Sequence, residues 1–423
     1  AHRRIALRQF FPGFSNCLCR LQRHCRHRRH VRKRGNDMYD FDKMTDRRNT
    51  GSLKWDVAEG ELPMWVADMD FRCAEPIIKA LHDRVEHGIF GYSLYKLSEV
   101  KSTVVGWYKK RFDWDVEEKN VFFSPGIIPA LSALIQLLSK EGDGIIIQPP
   151  VYFPFAGKIG VNRRVVANSP LIRVDGDYVM DYETLEEKFA DPKNVGMILC
   201  SPHNPVGRVW SEDELRRLVE IAKKYDKWIL SDEIHFDLVR KGVKHTPLLK
   251  ICPEYADKVV VCTAPSKTFN LAGMQISNIV IHDPELQEKW LGLVDDCWGM
   301  MMPNAMGVTA MMAAYTQGEE WLDQVIAYID ENMKAACAYV KENLPKARMD
   351  YPEGTYLLWL DLSEYCGDPE KLAEIMLKKA KVVLDDGYIF GPEGNGFERI
   401  NVACPRSILM DCLERIKTAL VGA

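Results

Sequence analysis

Residues 258–270 read KVVVCTAPSKTFN, a β-branched apolar run that ends at Thr263 and is followed four residues later by Lys267. Two similar runs lie upstream, where residues 196–204 read GMILCSPHN and residues 228–235 read WILSDEIH. Runs that are apolar throughout are typical of strands covered on both faces by helices. Ligands of open α/β sheets bind at the carboxyl ends of such strands, so the polar residues that follow these runs are expected to form one site.

The rest of the chain from about residue 120 alternates such runs with amphipathic helices. The predicted strands are 120–124, 144–148, 196–201, 228–231, 258–263 and 278–282. Residues 211–225 predict a helix in which Ser211 is the N-cap and Leu215, Leu218 and Ala222 form one apolar face. Alternating strands and helices predict an α/β fold with a mainly parallel sheet between helices. A long helical region is expected from about 303 to 344, followed by mixed short elements.

The formal net charge of −4 for 423 residues conceals two different segments. Residues 1–36 hold eleven Lys or Arg, four His and no carboxylate, which leaves 45 basic and 60 acidic residues from Asp37 onward, a net charge of −15. This leader admits three interpretations: an organellar transit peptide, a nucleic-acid-binding arm, or upstream sequence before a native start at Met38. The last is preferred because the sequence from Met38 already reads as a coherent start. The leader's Cys and His spacing matches no structural zinc pattern.

The composition excludes several classes of protein. With 47% hydrophobic and 10% aromatic residues, the chain is not a disordered protein, a collagen-like protein or a small fold that depends on disulfide bonds. No run approaches the roughly 18 apolar residues of a membrane-spanning helix. The nine cysteines from Cys73 to Cys412 are scattered singly, which favours reduced thiols in a cytoplasmic protein without a metal site.

Four chemical groups are predicted to meet at the strand ends. They are the amide of Asn204 in HNPVGRVW, the carboxylate of Asp232 in SDEIHFDL, the amine of Lys267 in APSKTFNLAG, and a helix start after Pro125-Gly126. Together with MWVADMDF at residues 64–71 and RINVACPR at 399–406, these motifs resemble fold-type I pyridoxal-phosphate enzymes of the class I/II aminotransferase superfamily. The best resemblance is to the branch of cystathionine β-lyase-like C–S lyases, and it covers nearly everything from Met38 onward.

The resemblance implies a role for each matching residue at a pyridoxal 5'-phosphate site. Lys267 would bond to the cofactor aldehyde and move the substrate proton, which requires a lowered pKa. Asp232 would hold the protonated ring nitrogen. Asn204 would bind the ring hydroxylate, and Arg399 would clamp the substrate carboxylate.

The other implied cofactor contacts surround the ring and its phosphate. Tyr152 would stack on the ring and His235 would lie near its hydroxylate, although a core histidine is the competing interpretation. The phosphate would meet the backbone of Gly126 and Ile127, the Ser266 hydroxyl, and Tyr92 from the neighbouring subunit of a homodimer. The segment from Trp65 to Asp68 resembles one that closes over the substrate. Two positions depart from many aminotransferases, since Ala264 and Gln275 replace a phosphate-binding Ser and Arg.

The resemblance implies a seven-stranded, mainly parallel sheet in a large domain, residues 77–317, and a smaller α+β domain at 318–423. Residues 38–76 would form an N-terminal arm that joins the small domain. The expected activity is α,β-elimination of L-cystathionine or a related cysteine S-conjugate to a thiol, pyruvate and ammonia. An aminotransferase on the same scaffold is the alternative, and a regulatory or nucleic-acid-binding protein that acts through the leader is a remote one. No nucleic-acid or membrane partner is expected for the acidic part of the chain.

Overall fold

The computed structural model describes residues 38–92, 97–300 and 303–422. Residues 1–37, which include the basic leader, lie outside the described residues, and so do the three interpretations of the leader. From Asp40 onward the described chain forms one unit.

Most strands are short. They are β1 Leu62–Pro63, β2 Val121–Ser124, β3 Gly144–Ile147, β4 Val165–Asn168, β5 Leu171–Val174, β6 Asp177–Met180, β7 Asn194–Cys200, β8 Trp228–Asp232, β9 Val259–Thr263, β10 Ser277–Ile281, β11 Arg348–Met349, β12 Leu357–Asp361, β13 Val382–Val383, β14 Asp385–Asp386 and β15 Phe397–Asn401.

The α-helices lie between and after these strands. They are α1 Glu75–His87, α2 Leu97–Phe112, α3 Ile127–Leu138, α4 Pro154–Val161, α5 Tyr182–Ala190, α6 Glu212–Lys224, α7 Leu248–Ile251, α8 Pro265–Thr268, α9 Pro284–Trp290, α10 Ala305–Gln317, α11 Glu319–Asn343, α12 Pro369–Glu374 and α13 Arg406–Val421. Wider π-type turns extend α9 over Leu291–Cys297 and α12 over Ile375–Ala380.

A seven-stranded sheet forms the centre of the fold, in the order β2-β10-β9-β8-β7-β3-β4. The pairs from β9 to β4 are parallel, whereas β10 runs antiparallel to both of its neighbours. The predicted seven-stranded, mainly parallel α/β sheet is therefore confirmed. Its strands β3, β8, β9 and β10 are buried along their whole length, as helices on both faces require.

The main hydrophobic core lies between this sheet and its helices. The apolar face of α3, with Leu131 and Leu134, is buried in the same cluster as Ile145, Ile198 and Leu230 of the strands. The helix α6 begins at the predicted cap, where the Ser211 side chain accepts from Glu214 N and the Glu214 side chain accepts from Ser211 N. This reciprocal pair satisfies two backbone donors that a helix start otherwise leaves free.

A second sheet follows in the order β11-β12-β15-β14, with antiparallel pairs throughout. The first strand of the described chain, β1, pairs in parallel with β13 beside this sheet, so the residues before Glu75 contact the C-terminal part of the chain. The two-stranded β5-β6 hairpin turns at Asp175-Gly176, where both residues have positive φ, as its two-residue turn requires.

The helical region predicted from about 303 to 344 is present and consists of two helices, α10 and α11, which meet at Gly318. A Cβ at Gly318 would lie 2.6 Å from the Ala314 carbonyl oxygen and 2.6 Å from Phe269 Cε1, so only glycine fits this corner. The strand Val165–Asn168 was missed because it is at the sheet edge and half exposed, which gives no continuous apolar run.

None of the helices that the structure describes is long and apolar enough to cross a membrane. The cysteines from Cys73 to Cys412 are free thiols, and no group of three or more His, Cys, Asp or Glu in the described residues is arranged to hold a metal ion.

Candidate active site

A cavity of about 260 Å³ opens at the carboxyl ends of the central strands. The strand ends are in register here, because Asp232 pairs with Cys200 on one side and with Cys262 on the other. The cavity brings together seven of the ten residues predicted for the site, namely Lys267, Asp232, Asn204, Arg399, Tyr152, His235 and Ile127. The remaining lining residues are Leu53, Trp65, Val66, Ala67, Ile128, Phe153, Cys200, Ile234 and Asp385.

Lys267 lies in α8, the one-turn helix that follows β9. Its Nζ donates a hydrogen bond of 2.5 Å to the carbonyl oxygen of Ala67. Burial and the nearby charge of Arg399 together lower the pKa of Lys267 to about 8, against the opposing negative charges of Asp68 and Asp232. A lysine with this pKa has a substantial unprotonated fraction near neutral pH, so it can act as a nucleophile or base.

Asp232 is the last residue of β8, and it is only 4% exposed. Its Oδ1 accepts from Ile234 N at 3.1 Å, while Oδ2 has no hydrogen-bond partner among the described residues. Burial raises the pKa of Asp232 to about 7, and the Lys267 charge partly offsets that effect. A buried carboxylate with one free oxygen on a cavity wall is suited to hold a cation in that cavity.

Arg399 enters the cavity from β15. Its Nη1 donates to Asn204 Oδ1 at 3.0 Å, and its Nη2 donates to Trp65 O at 2.9 Å and forms an ion pair with Asp385. The Arg399 Nε atom is buried and has no partner in the described part of the chain. The guanidinium is thus fixed by neutral and charged partners and still has a donor for an anion.

Tyr152 and His235 complete the wall around Asp232. Tyr152 is fixed by its backbone, since Tyr152 N donates to Asn204 O at 3.0 Å, and its ring meets Phe155 edge to face. Burial raises the pKa of Tyr152 to about 12, and Asp232 adds to this effect. His235 is buried beside Tyr356, and its Nδ1 lacks a partner within the described residues. Burial and the charges of Lys267 and Arg399 lower the pKa of His235, so this ring is neutral.

The start of α3 forms the opposite side of the cavity. The helix begins at Ile127, after Gly126 as the N-cap, and Ile127 and Ile128 both line the cavity. The first N–H groups of a helix have no acceptor within the helix and carry its positive dipole end. This side of the cavity therefore attracts an anion such as a phosphate.

The structure does not bring the other three predicted residues to the cavity wall. Gly126 and Ser266 lie next to lining residues, but neither lines the cavity itself. Tyr92 is 91% exposed and does not line the cavity. The phosphate roles predicted for Ser266 and Tyr92 remain predictions.

Sequence reasoning missed Asp385 and Tyr356. Asp385 faces Arg399 because the two residues are partners in the pairing of β14 with β15. Tyr356 precedes β12, and its hydroxyl donates to the Ala67 carbonyl oxygen at 2.8 Å. The sequence signal of both residues was weak, an acidic pair before a glycine and an aromatic residue before a strand. The Asp385 contact depends on strand register, and the Tyr356 contact joins residues 289 positions apart.

The site thus combines a carboxylate and a lysine at the ends of central strands with an arginine from the middle of β15 in the second sheet. The chain belongs to the class I and II aminotransferase family, whose model matches residues 63–416.

Within this family the chain is similar to several C–S lyases. It is 45% identical to cystathionine β-lyase PatB of Bacillus subtilis, over 90% of this chain and 100% of that protein. Cystalysin from Treponema denticola, whose structure contains a pyridoxal 5'-phosphate cofactor, superposes with a TM-score of 0.88 at 38% identity, over 91% of this chain and 99% of the other. The C–S lyase from Staphylococcus hominis has a TM-score of 0.85 at 36% identity, over 90% and 98% of the two chains.

Proposed function

We propose that this protein is a pyridoxal-phosphate-dependent C–S β-lyase, which splits L-cystathionine or a related cysteine S-conjugate into a thiol, pyruvate and ammonia. The observation that carries the proposal is the placement of Lys267, with its lowered pKa, in one cavity with the free carboxylate oxygen of Asp232 and with Arg399. The relatives named cystathionine β-lyase and C–S lyase support the reaction type.

The residues present fit pyridoxal phosphate. The free Oδ2 of Asp232 is a partner for a protonated ring nitrogen, and the unpartnered Nδ1 of His235 leaves a polar atom for the polar edge of the ring. The start of α3 at Ile127 suits the phosphate, with Ser266 proposed to add a hydroxyl. Tyr152 would cover the ring, and Asn204 would bind its hydroxylate.

The chain's own residues then divide the reaction between binding and proton transfer. Bound pyridoxal phosphate supplies a ring that withdraws electrons and so stabilises negative charge at the substrate Cα. Arg399 binds the α-carboxylate, since Nε is unpartnered and its Nη atoms are held in place by Asn204 and Asp385. Lys267 Nζ removes the Cα proton, and the Cβ–S bond breaks as the thiolate leaves. The remaining enamine takes up one water to give pyruvate and ammonia.

The lowered pKa of Lys267 predicts how fast the protein captures its cofactor at each pH. Only the unprotonated amine attacks the aldehyde, so the capture rate should rise with pH and level off above about pH 8. An ordinary lysine, with a pKa of about 10.4, would give a rate that still rises at pH 10. The measurement is stopped-flow absorbance after pyridoxal phosphate is added to cofactor-free protein. The Lys267→Ala variant should lack this phase, and a rate that does not level off below pH 10 would contradict the lowered pKa.

A product assay on L-cystathionine tests the proposed reaction. The holoenzyme should release pyruvate, ammonia and a thiol in equal amounts without any added keto acid. The alternative is an aminotransferase, which shares the cofactor residues and would transfer the amino group to 2-oxoglutarate without forming pyruvate. The replacement of two phosphate-binding residues by Ala264 and Gln275 supports the lyase. Failure to release pyruvate or thiol from any cysteine thioether would refute it.

We also propose that the working unit is a cytoplasmic homodimer in which Tyr92 contacts the phosphate in the neighbouring subunit. The support is the exposure of Tyr92 beside the exposed apolar side chains of Ile89 and Phe90, since exposed apolar patches mark association sites. The predicted division into an arm at 38–76, a large domain at 77–317 and a small domain at 318–423 is likewise a proposal. It is supported by the β1–β13 pairing and by the corner at Gly318.

A further inference from the structure

The segment of residues 65–71, WVADMDF, forms one wall of the cavity and is held by side chains from elsewhere in the chain. Its carbonyl groups at 65, 66, 67, 68, 69 and 71 each accept a hydrogen bond from a side chain. Arg399 donates to the carbonyl of residue 65, and Asn401 donates to those of residues 66 and 68. Lys267 and Tyr356 donate to residue 67, and Lys54 donates to residue 68. Asn270 donates to residues 69 and 71, and Arg47 donates to residue 69. The segment is therefore fixed to the rest of the fold in this structure, rather than poised as a lid over the cavity.

Asn270 makes three side-chain hydrogen bonds to the C-terminal part of the segment. Its Oδ1 accepts from Met69 N at 2.9 Å, and its Nδ2 donates to Met69 O at 2.9 Å and to Phe71 O at 3.1 Å. The side-chain amide thus pairs with the backbone as a neighbouring strand would. Met69 and Phe71 are both buried, so these backbone groups have little access to water as a substitute partner.

The backbone of Asn270 is also specialised. Its φ is +58°, in the left-handed region that glycine adopts at little cost and that asparagine tolerates better than other side chains. This conformation ends the turn that begins in α8, where Leu271 N donates to Ser266 O. Asn270 lies three residues after Lys267, so its side chain joins the lysine-bearing turn directly to the 65–71 segment.

A buried ion cluster around Asp70 also anchors the segment. Asp70 is 3% exposed and accepts from Lys54 Nζ at 2.8 Å, Trp55 Nε1 at 2.7 Å and Arg47 Nη1 at 2.6 Å. The cluster holds the segment to the N-terminal residues, and Asn270 holds it to Lys267. Ala67 lies two residues before Met69 in the same segment, and its carbonyl oxygen is the acceptor for Lys267 Nζ.

We propose that Asn270 is a positioning residue for Lys267. The Asn270 side chain fixes the 65–71 segment, so that the Ala67 carbonyl holds the lysine amine in line for proton transfer. This inference rests on the proposed function. Asn270 itself contacts neither the substrate nor the cofactor. It acts on turnover by aligning the Ala67 carbonyl and the Lys267 amine, which both lie at the cavity. A misalignment of about 1 Å can reduce a rate by about 10²-fold.

The test compares the Asn270→Gly holoenzyme with the wild type. Glycine keeps the left-handed backbone and removes only the three side-chain hydrogen bonds. We expect kcat for L-cystathionine to fall by about 10- to 100-fold. KM should stay within about threefold, because the contacts of Arg399 with Asn204 and Asp385 are unchanged. Backbone amide exchange in peptides that cover residues 65–71 should become at least about tenfold faster.

A matched control and a second variant make the outcome decisive. Asp175→Gly replaces another left-handed residue, in the β5–β6 turn, and should change neither the kinetics nor the exchange of residues 65–71. If Asn270→Gly does not fold, Asn270→Asp is measured in the same way, since it keeps the shape but places oxygen against two carbonyl groups.

Unchanged kcat in the folded variant would overturn the inference, whether or not exchange increases. A wild type that binds cofactor but forms no pyruvate would refute the proposed function instead. In that case amide exchange of residues 65–71 alone would test whether Asn270 fixes the segment. Unchanged exchange in Asn270→Gly would overturn this part of the inference as well.

Discussion

Replacement of Lys267 by alanine should abolish both covalent cofactor attachment and turnover, with kcat reduced by at least about 10³- to 10⁴-fold. General-base catalysis alone contributes about 10²- to 10⁴-fold, and loss of the nucleophilic amine adds to this. Lys267 is the only lysine among the described residues that lines the cavity, so no neighbouring amine can substitute for it. The fold should survive, because the Nζ contact to Ala67 O is one of several that hold that carbonyl and its segment.

Two measurements check this result. Borohydride reduction followed by peptide mass spectrometry should place the cofactor on Lys267 in the wild type and on no peptide in the variant. Product assays on L-cystathionine then give the change in kcat. Lys241→Ala, at an exposed lysine in a turn, is the matched control and should retain wild-type values for both. Cofactor found on another lysine, or turnover within tenfold of wild type, would show that the site has been wrongly assigned.

The residues that sequence could locate are those that directly follow apolar strands. Asn204, Asp232 and Lys267 each come within four residues of the end of a buried run, and parallel strands place their carboxyl ends at one edge of the sheet. Local pattern and one topological rule were sufficient to bring them together. The same rule located the start of α3 at Ile127.

The rest of the cavity depends on contacts that no local pattern encodes. Asp385 reaches Arg399 through the register of two antiparallel strands, and Ala67 meets Lys267 across 200 positions of sequence. Asn270 has the features of a turn residue in the sequence, and only the fold shows its amide bound to the 65–71 segment. Tyr92 is a different case, because a single chain provides no neighbouring site for it to contact.

Asp232→Asn should reduce kcat by on the order of 10²- to 10⁴-fold while the protein remains folded. In this structure burial raises the pKa of Asp232 to about 7, which means that ionisation is costly until a cation pairs with the carboxylate. A protonated ring nitrogen is such a cation, and the pair it forms keeps the ring able to withdraw electrons from the substrate. An asparagine amide has the same shape but no charge. Removal of one partner of a buried pair costs about 3–5 kcal/mol, and each 1.36 kcal/mol is tenfold in rate.

The matched control is Asp237→Asn, a second buried carboxylate five residues along the chain. Asp237 accepts from Trp107 Nε1 and Thr268 Oγ1, both at 3.1 Å, and it does not line the cavity. Asp237→Asn should lower the melting temperature and leave kcat within a few-fold of wild type. Asp232→Asn should instead leave the melting temperature near that of wild type and lower kcat. Because both variants remove one buried negative charge, a comparable loss of kcat in the two would mean that the rate depends on the general burial of charge in this region. A large loss confined to Asp232→Asn would assign the effect to the single carboxylate oxygen that faces the cavity.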